Sequence, residues 1–307
     1  MQIHQDWQWL DAAARGASCA LGNFDGVHLG HQAVIDLARG QGPLGVITFE
    51  PHPREFFQPD AAPFRLMNAE ARASRLAKLG VEHLFQLPFN AGLAALSPEE
   101  FVRDVLARGL GIRHVVIGED FCFGKGRAGS AADLVRLGAQ YGFSTTVAPL
   151  VKTAGTSISS TAIRTALSEG RPRDAAAMLG HLHRIEGAVI HGEKRGRELG
   201  FPTANMDLAG LHLPAFGVYA VRVDVLNGPQ AGSYLGAASL GVRPMFNGLT
   251  PNLETHLLDF KGDLYGRQLS VAMVEYLRPE LKFSGLPALI EQMNADCLQA
   301  REILSAG

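Results

Sequence analysis

A chain of 307 residues, 47% of them hydrophobic and 19% charged, is longer than one compact core ordinarily organises, so two globular domains are expected. The formal net charge of −2 supplies no overall positive field, which argues against nucleic acid as a partner and leaves anions to local arginines, histidines and backbone N–H groups. No apolar run approaches the roughly 18 residues of a membrane span, and "MQIHQDWQWLDAAARG" lacks the basic start and apolar stretch of a signal peptide. Cys19, Cys122 and Cys297 are far apart and without metal-site spacing, so neither a disulfide framework nor a cysteine metal site is expected. These features point to the cytoplasm, with no membrane partner, and leave the oligomeric state open.

Residues 18 to 180 alternate short apolar runs with amphipathic stretches. The runs "CALGN", "LGVITFE", "EHLFQL", "RHVVIG" and "FSTTVAPLV" predict five strands. Between them, "SPEEFVRDVLARG" carries Ser97 as N-cap, Pro98 at the first helical position, Glu100 to complete a capping box and Gly109 as a stop. "SAADLVRLGAQYG" repeats the scheme with Ser130 and Gly142. This alternation predicts an α/β fold, a doubly wound parallel sheet whose ligands sit beyond the carboxyl ends of the strands.

From about residue 181 the period changes. "GVYAVRVDVL" sets Tyr219, Val221, Val223 and Val225 on one face, with Arg222 and Asp224 on the other. "SYLGAASLG", "LETHLLDF" and "LSVAMVEYLR" predict further strands, and only the tail from about Leu286 to Leu304 predicts a helix. Short strands closed by a terminal helix suggest a small antiparallel β-barrel. The segments "SEGRPRD" and "GHLHR" bracket the boundary, giving domains at 15–181 and 182–307.

The stretch "GNFDGVHLGHQAVI", residues 22–35, concentrates chemistry in the first half. A strand ending near Leu21 delivers Gly22 and Gly26 to a turn that admits a bulky ligand. The helix beginning around His28 exposes unpaired N–H groups and a partial positive charge. His28 and His31, three apart, are placed to face one anion, so the segment predicts a phosphate cradle. Further on, "GKGRAG" satisfies the dinucleotide fingerprint, but the preceding strand ends too early for its tight turn. No acidic residue ends the next strand, which disfavours a nicotinamide dehydrogenase.

"GNFDGVHLGH" resembles the HxGH signature of the nucleotidyltransferase superfamily in its flavin-adenylyltransferase form, and "TSISSTAIRTAL" resembles that family's SSTxIR motif. The resemblance implies nucleotide and phosphate binding by Gly22, Asn23, Phe24, Asp25 and Gly26. It adds Ser159, Ser160 and Thr161, whose hydroxyls and helix-start amides face phosphate. His28, His31 and Arg164 then act catalytically, the last as a fork of phosphate donors. "TFEPHPREFF" and "GEDFCFGKGRAGS" fit further blocks. Asp120 is a flavin-ligand candidate, although Cys122 stands where relatives commonly carry arginine.

In the second half, "HGEKRGRELGFPTAN" resembles the riboflavin kinase signature, with GFPTAN unaltered at 200–205. The resemblance implies a flap hinged at Gly192 and Gly196, with Lys194, Arg195 and Arg197 near phosphate. Thr203 and Asn205 would be neutral oxygen ligands for Mg²⁺. "NLETHLLDFKGDLYG" resembles the second kinase block and implies Glu254 as catalytic base. Arg243 and Pro244 match a flavin-binding block, in which Ser239, Val242 and Met245 depart from the common pattern.

The resemblance runs over residues 15 to 305 in the order of bacterial bifunctional riboflavin kinase/FAD synthetases. It implies that the barrel phosphorylates riboflavin with ATP to FMN and that the first domain adenylylates FMN with a second ATP, giving FAD and pyrophosphate. Three other readings compete. They are a single-activity FMN adenylyltransferase with a flavin-holding barrel, a non-enzymatic flavin-binding regulator, and a nucleotidyltransferase for another phosphate.

Overall fold

The computed structural model describes residues 1–8, 10–150, 152–153, 156–192, 196, 199–245 and 248–306. The chain forms two compact units, one from Met1–Ala62 with Arg72–Ile158, the other from Pro63–Ala71 with Ser159–Gly307. The boundary expected near residue 181 does not coincide with the division between these units, which falls between Ile158 and Ser159.

The first unit is built on strands β1 (Gln2–His4), β2 (Ser18–Leu21), β3 (Leu44–Glu50), β4 (His83–Pro88), β5 (His114–Gly118) and β6 (Ser144–Ala148). They form one sheet in the order β1-β4-β3-β2-β5-β6, with every neighbouring pair parallel. The central strands are buried on both faces, which is why "SCAL" and "LGVITFE" read as unbroken apolar runs rather than alternating ones. Five strands lie where the sequence predicts them. The sixth, β1, pairs Gln2 with His83, and its three largely exposed residues give no pattern to read.

Helices α1 (Leu29–Leu37), α2 (Pro53–Phe57), α3 (Ala69–Lys78), α4 (Ala91–Ala95), α5 (Pro98–Glu100) and α6 (Ala131–Tyr141) intervene along the chain. Ser97 caps α5 with Glu100 completing the box, and Ser130 caps α6, which stops at Gly142 in the left-handed region. After α5 the chain widens into a π-helix over Phe101–Leu110. It ends one turn-forming glycine later than expected, because Gly111 and not Gly109 adopts a left-handed φ of 57°.

From β2 the chain steps one way to β3 and β4, then crosses back to β5 and β6 on the other side of β2. The reversal point is therefore between β2 and β5, and the crevice beyond their carboxyl ends is where such a sheet binds its ligand. The loop after β2 is the Gly22–His28 segment.

The longer segment of the second unit begins with α7 (Ser160–Ser168) and α8 (Pro172–Leu179). A closed antiparallel barrel follows, made of β9 (His183–Ile190), β10 (Ala204–Asp207), β11 (Gly217–Val225), β12 (Gly232–Met245), β13 (Gly248–Leu257) and β14 (Gln268–Arg278). A two-stranded ribbon, β7 (Lys152–Thr153) and β8 (Thr156–Ser157), precedes α7. The barrel order is β10-β13-β12-β11-β14-β9, closed so that each strand has two neighbours among the described residues. Tyr219, Val221, Val223 and Val225 point inward and are at most 3% exposed, as the alternation predicts.

Helix α9 (Leu286–Ser305) packs Ala300 and Leu304 on Ala220 and Ala237 of the barrel wall. A two-bond pair from Arg278 to Asp296, at 2.9 and 2.6 Å, pins α9 to β14. Strands β9 and β10 are the two barrel strands that sequence patterning missed. Gly187 interrupts the alternation of one, and the other is four residues long and lies within the GFPTAN segment.

Candidate active sites

In the first unit, the turn from Gly22 to His28 is held in an unusual backbone. Phe24 has φ 52°, Gly26 88° and Val27 45°, so two side-chain-bearing residues, one of them β-branched, sit in the left-handed region. Such conformations persist where surrounding contacts over-determine them, and they concentrate at ligand-binding loops. Phe24 is 1% exposed, and its ring lies 5.2 Å from that of His31.

His28 is the N-cap of α1 and not a member of the helix: its Nδ1 accepts from the His31 N–H at 3.2 Å. A backbone amide can only donate, so Nδ1 carries no proton and the neutral ring bears its hydrogen on Nε2. The two imidazoles then stack, with centroids 3.6 Å apart and planes inclined by 14°. His31 sits on the first turn of α1, and burial first, then the adjacent His28, hold its pKa well below the usual histidine range. Its Nδ1 is buried and makes no hydrogen bond among the described residues. The pair is thus a stacked neutral set of donors at a helix start.

Gly30 has a spatial reason. A Cβ there would come within 3.1 Å of His28 Cε1 and Nδ1, so the glycine between the histidines clears room for the capping ring. Asp25 is 4% exposed within the same turn. Asp120 follows β5 on the other side of the reversal point and is exposed, its carboxylate folded back toward Gly118. Cys122 is exposed and its thiol donates to the Asp120 carbonyl at 3.7 Å.

The SSTAIR segment lies in the second unit. Ser159 caps α7 by accepting from the Ala162 N–H at 3.2 Å, and Thr161 is exposed on the first turn beside Ser160. Arg164 donates Nε–H to the Phe64 carbonyl at 2.6 Å and stacks on the Phe64 ring at 5.3 Å, which fixes the guanidinium plane. His212 Nε2 lies 3.1 Å from the Arg164 carbonyl and 3.1 Å from Ser168 Oγ, and the Ala215 N–H donates to the Leu167 carbonyl. A loop that follows β10 therefore holds the helix that carries Arg164.

In the barrel, β10 and β13 place Asn205 directly opposite Glu254. Thr203 Oγ1 lies 3.5 Å from Glu254 Oε2, and Asn205 Oδ1 accepts from Asn252 Nδ2 at 3.0 Å. Gly192 closes over this group: a Cβ there would sit 2.5 Å from Asn205 Nδ2. Gly196 approaches the Phe201 carbonyl so closely that a Cβ would be 2.4 Å from it. Four of the residues expected at the kinase site, Gly192, Thr203, Asn205 and Glu254, are together, with Gly196 alongside. Lys194, Arg195 and Arg197 lie outside the described residues. Arg243 is placed on β12 opposite Thr250 by its backbone alone.

Neutral oxygens from Thr203 and Asn205 beside one carboxylate suit Mg²⁺, which takes most of its ligands from water and nucleotide phosphates. Among the described residues no cluster of three His, Cys, Asp or Glu side chains forms a protein-only metal cage.

Three residues escaped the sequence reading. Asn252 is buried and orients Asn205, and its only signal is two-residue spacing from Glu254 on one strand. Arg72 and Thr48 are buried beneath the Gly22–His28 turn, and nothing local in sequence distinguishes them from a helix arginine and a strand threonine.

The model of FAD synthetase matches residues 10–162, and that of riboflavin kinase matches residues 179–304. A bifunctional riboflavin kinase/FMN adenylyltransferase of Pseudomonas fluorescens is 42% identical, over 99% of this chain and 98% of its own. The protein of the same name from Escherichia coli K12 is 39% identical, over 95% of this chain and 94% of its own. A crystal structure titled as a macrolide-efflux protein from Streptococcus pneumoniae superposes with a TM-score of 0.80 at 30% identity, covering 96% of each chain. Among the described residues no helix is long and apolar enough to cross a membrane. With both family models matched in order and relatives similar from end to end, the chain belongs to the bifunctional riboflavin kinase/FMN adenylyltransferases.

Proposed function

We propose that residues 182–307 transfer the γ-phosphoryl group of ATP to the 5′-hydroxyl of riboflavin. Residues 15–181 then join AMP from a second ATP to the phosphate of FMN. The products are FMN and ADP from the first step, FAD and pyrophosphate from the second. The observation that supports this most is the stacked, neutral His28–His31 pair capping α1 at the sheet's reversal point, in a chain that also places Thr203, Asn205 and Glu254 together in a closed barrel.

In the kinase step Glu254 takes the proton of the riboflavin hydroxyl as its oxygen bonds to the γ-phosphorus, and the bond to the β-phosphate oxygen breaks to release ADP. Thr203 and Asn205 are the residues that would hold Mg²⁺, whose charge supports the leaving phosphates. Asn252 keeps Asn205 Oδ1 in place by its 3.0 Å hydrogen bond. Gly192 and Gly196 let the preceding segment approach the nucleotide, with Lys194, Arg195 and Arg197 supplying positive charge. Arg243 contributes to flavin binding.

In the adenylyl-transfer step the FMN phosphate is already an anionic nucleophile, so no strong base is required. One of its oxygens bonds to the α-phosphorus of ATP as the bond to the β-phosphate oxygen breaks, releasing pyrophosphate. Catalysis is alignment plus stabilisation of charge on the phosphate oxygens. His28 Nε2–H, the His31 ring and the first amides of α1 supply donors, and Gly22, Asn23, Phe24, Asp25 and Gly26 shape the turn that receives the triphosphate. Ser159, Ser160, Thr161 and Arg164 add hydroxyls, helix-start amides and a guanidinium. Asp120 contacts the flavin. Three unpaired cysteines and the use of ATP as co-substrate twice support a cytoplasmic location.

The test is chromatography of the products from riboflavin, ATP and Mg²⁺. FMN accumulates before FAD; His31→Ala stops at FMN, and Glu254→Ala makes FAD only when FMN is supplied. Equal loss of both half-reactions in either folded variant refutes the two-site assignment.

A further inference from the structure

A single backbone oxygen under the Gly22–His28 turn collects two buried donors. The Asn23 carbonyl accepts from Thr48 Oγ1 at 3.2 Å and from Arg72 Nη1 at 3.5 Å. Thr48 is fully buried on β3, and Arg72, on α3, is only 1% exposed. The same guanidinium donates through Nη2 to Glu50 Oε2 at 2.7 Å and reaches Gln86 Oε1 at 3.5 Å. Its anchors therefore come from the carboxyl half of β3, the neighbour of the strand that delivers the turn, and from β4, the next strand beyond β3.

A buried guanidinium is costly unless its hydrogens are matched, and a methionine or leucine would fill such a helix position without desolvating a charge. Arg72 therefore calls for a reason beyond packing, and the carbonyl it faces offers one. In a trans peptide the C=O and the following N–H point in opposite directions. With the Asn23 oxygen drawn inward to Thr48 and Arg72, the Phe24 N–H is turned to the other face of the turn. That peptide leads into Phe24, whose φ of 52° belongs to the sparsely populated left-handed region and needs holding.

We propose that Thr48 and Arg72 are positioning residues for adenylyl transfer, fixing the Asn23–Phe24 peptide so that the Phe24 N–H is presented to a triphosphate oxygen. This rests on the reading of the Gly22–His31 segment as the adenylyl-transfer site. An oriented backbone donor of this kind stabilises charge without reorganising during the reaction. Losing its orientation lowers turnover more than it weakens nucleotide binding.

The experiment uses the full chain and reads both half-reactions on each variant. Thr48→Val, nearly the same shape without the hydroxyl, lowers kcat for FAD formation from FMN and ATP by about tenfold. The KM for ATP changes little and riboflavin phosphorylation is unaltered. Thr48→Ser restores the loss. Arg72→Lys, whose single ammonium cannot serve both Glu50 and the Asn23 carbonyl, lowers the same kcat by about tenfold or more. Wild-type FAD formation in Thr48→Val and Arg72→Lys overturns the proposal, as does a Thr48→Val loss that serine fails to restore or that phosphorylation shares. His31→Ala separates the two levels of inference. If it still makes FAD at the wild-type rate, the reading of the site fails. If it is inactive while Thr48→Val is not impaired, the positioning role alone fails.

Discussion

His28 and His31 lie face to face with ring centroids 3.6 Å apart, and the His31 amide closes on the Nδ1 of His28. Two imidazolium rings at that separation would repel strongly, and burial adds to the penalty, so His31 remains neutral across the physiological range. In the proposed adenylyl-transfer site His31 would therefore give phosphate a hydrogen bond within a rigid stack, not a unit charge. A fixed positive charge should be a poor replacement and a neutral donor a better one. His31→Lys is expected to lose about 10²–10³ in the rate of FAD formation, and His31→Gln to retain clearly more. Parallel measurement of adenylylation kcat in the two variants checks this, and a lysine variant as active as glutamine would contradict it.

Gly30 is the cheapest lever on the same pair. An alanine methyl would press on the His28 ring at 3.1 Å, and the ring can yield only by loosening its cap on α1 or its stack on His31. Gly30→Ala is expected to fold normally, since alanine favours a helix. It should lower FAD formation by about tenfold or more, in keeping with the cost of a small misplacement in an aligned site. Riboflavin phosphorylation by the same preparation is the control that should not move.

Much of this arrangement could be read from residue order, and the exceptions share a cause. The turn at Gly22–His31 was visible because its parts are contiguous: strand end, glycine turn, helix start. So were the capping boxes at Ser97 and Ser130 and the inward row of β11. What escaped depends on partners distant in sequence. The neutrality of His31 comes from enclosure as well as from its neighbour, and the hydrogen bonds that single out Arg72 and Asn252 are made to Asn23 and Asn205, far off in sequence. β1 is stabilised by β4, some eighty positions on, and its own three residues carry no pattern at all.

The kinase site offers a counterpart to Gly30. A Cβ on Gly192 would lie 2.5 Å from Asn205 Nδ2 and 2.7 Å from its Cγ, too close to coexist with the observed carboxamide. The side chain that must move is the one proposed to hold Mg²⁺, and moving it also breaks the bond from Asn252. Gly192→Ala is expected to lower riboflavin phosphorylation by about 10² while FAD formation from supplied FMN continues. Titrating Mg²⁺ should show a weakened requirement curve in that variant. An unchanged phosphorylation rate would remove Gly192 and Asn205 from the site.

Stability against acid gives a test that needs no substrate. His183, 3% exposed on β9, has its pKa lowered to about 3 by burial first and then by His181 and His212. Its Nε2 is buried without a hydrogen-bond partner among the described residues. Between that value and the ordinary value of 6.5, the unfolded chain binds a proton at this position and the folded chain does not. Stability contributed by keeping His183 neutral is thus complete above the unfolded pKa and declines as pH falls, by up to about 1.4 kcal/mol per pH unit for one proton. His31 acts in the same sense in the first unit, so the comparison must be made at one position. In His183→Gln that proton-binding site is removed, so the difference between variant and parent isolates it. Urea unfolding of the barrel followed from pH 7 to pH 5 should show a shallower loss of stability in His183→Gln than in the parent, whatever the variant's stability at pH 7. Parallel curves would mean that His183 gains a proton in the folded barrel as readily as in the unfolded chain.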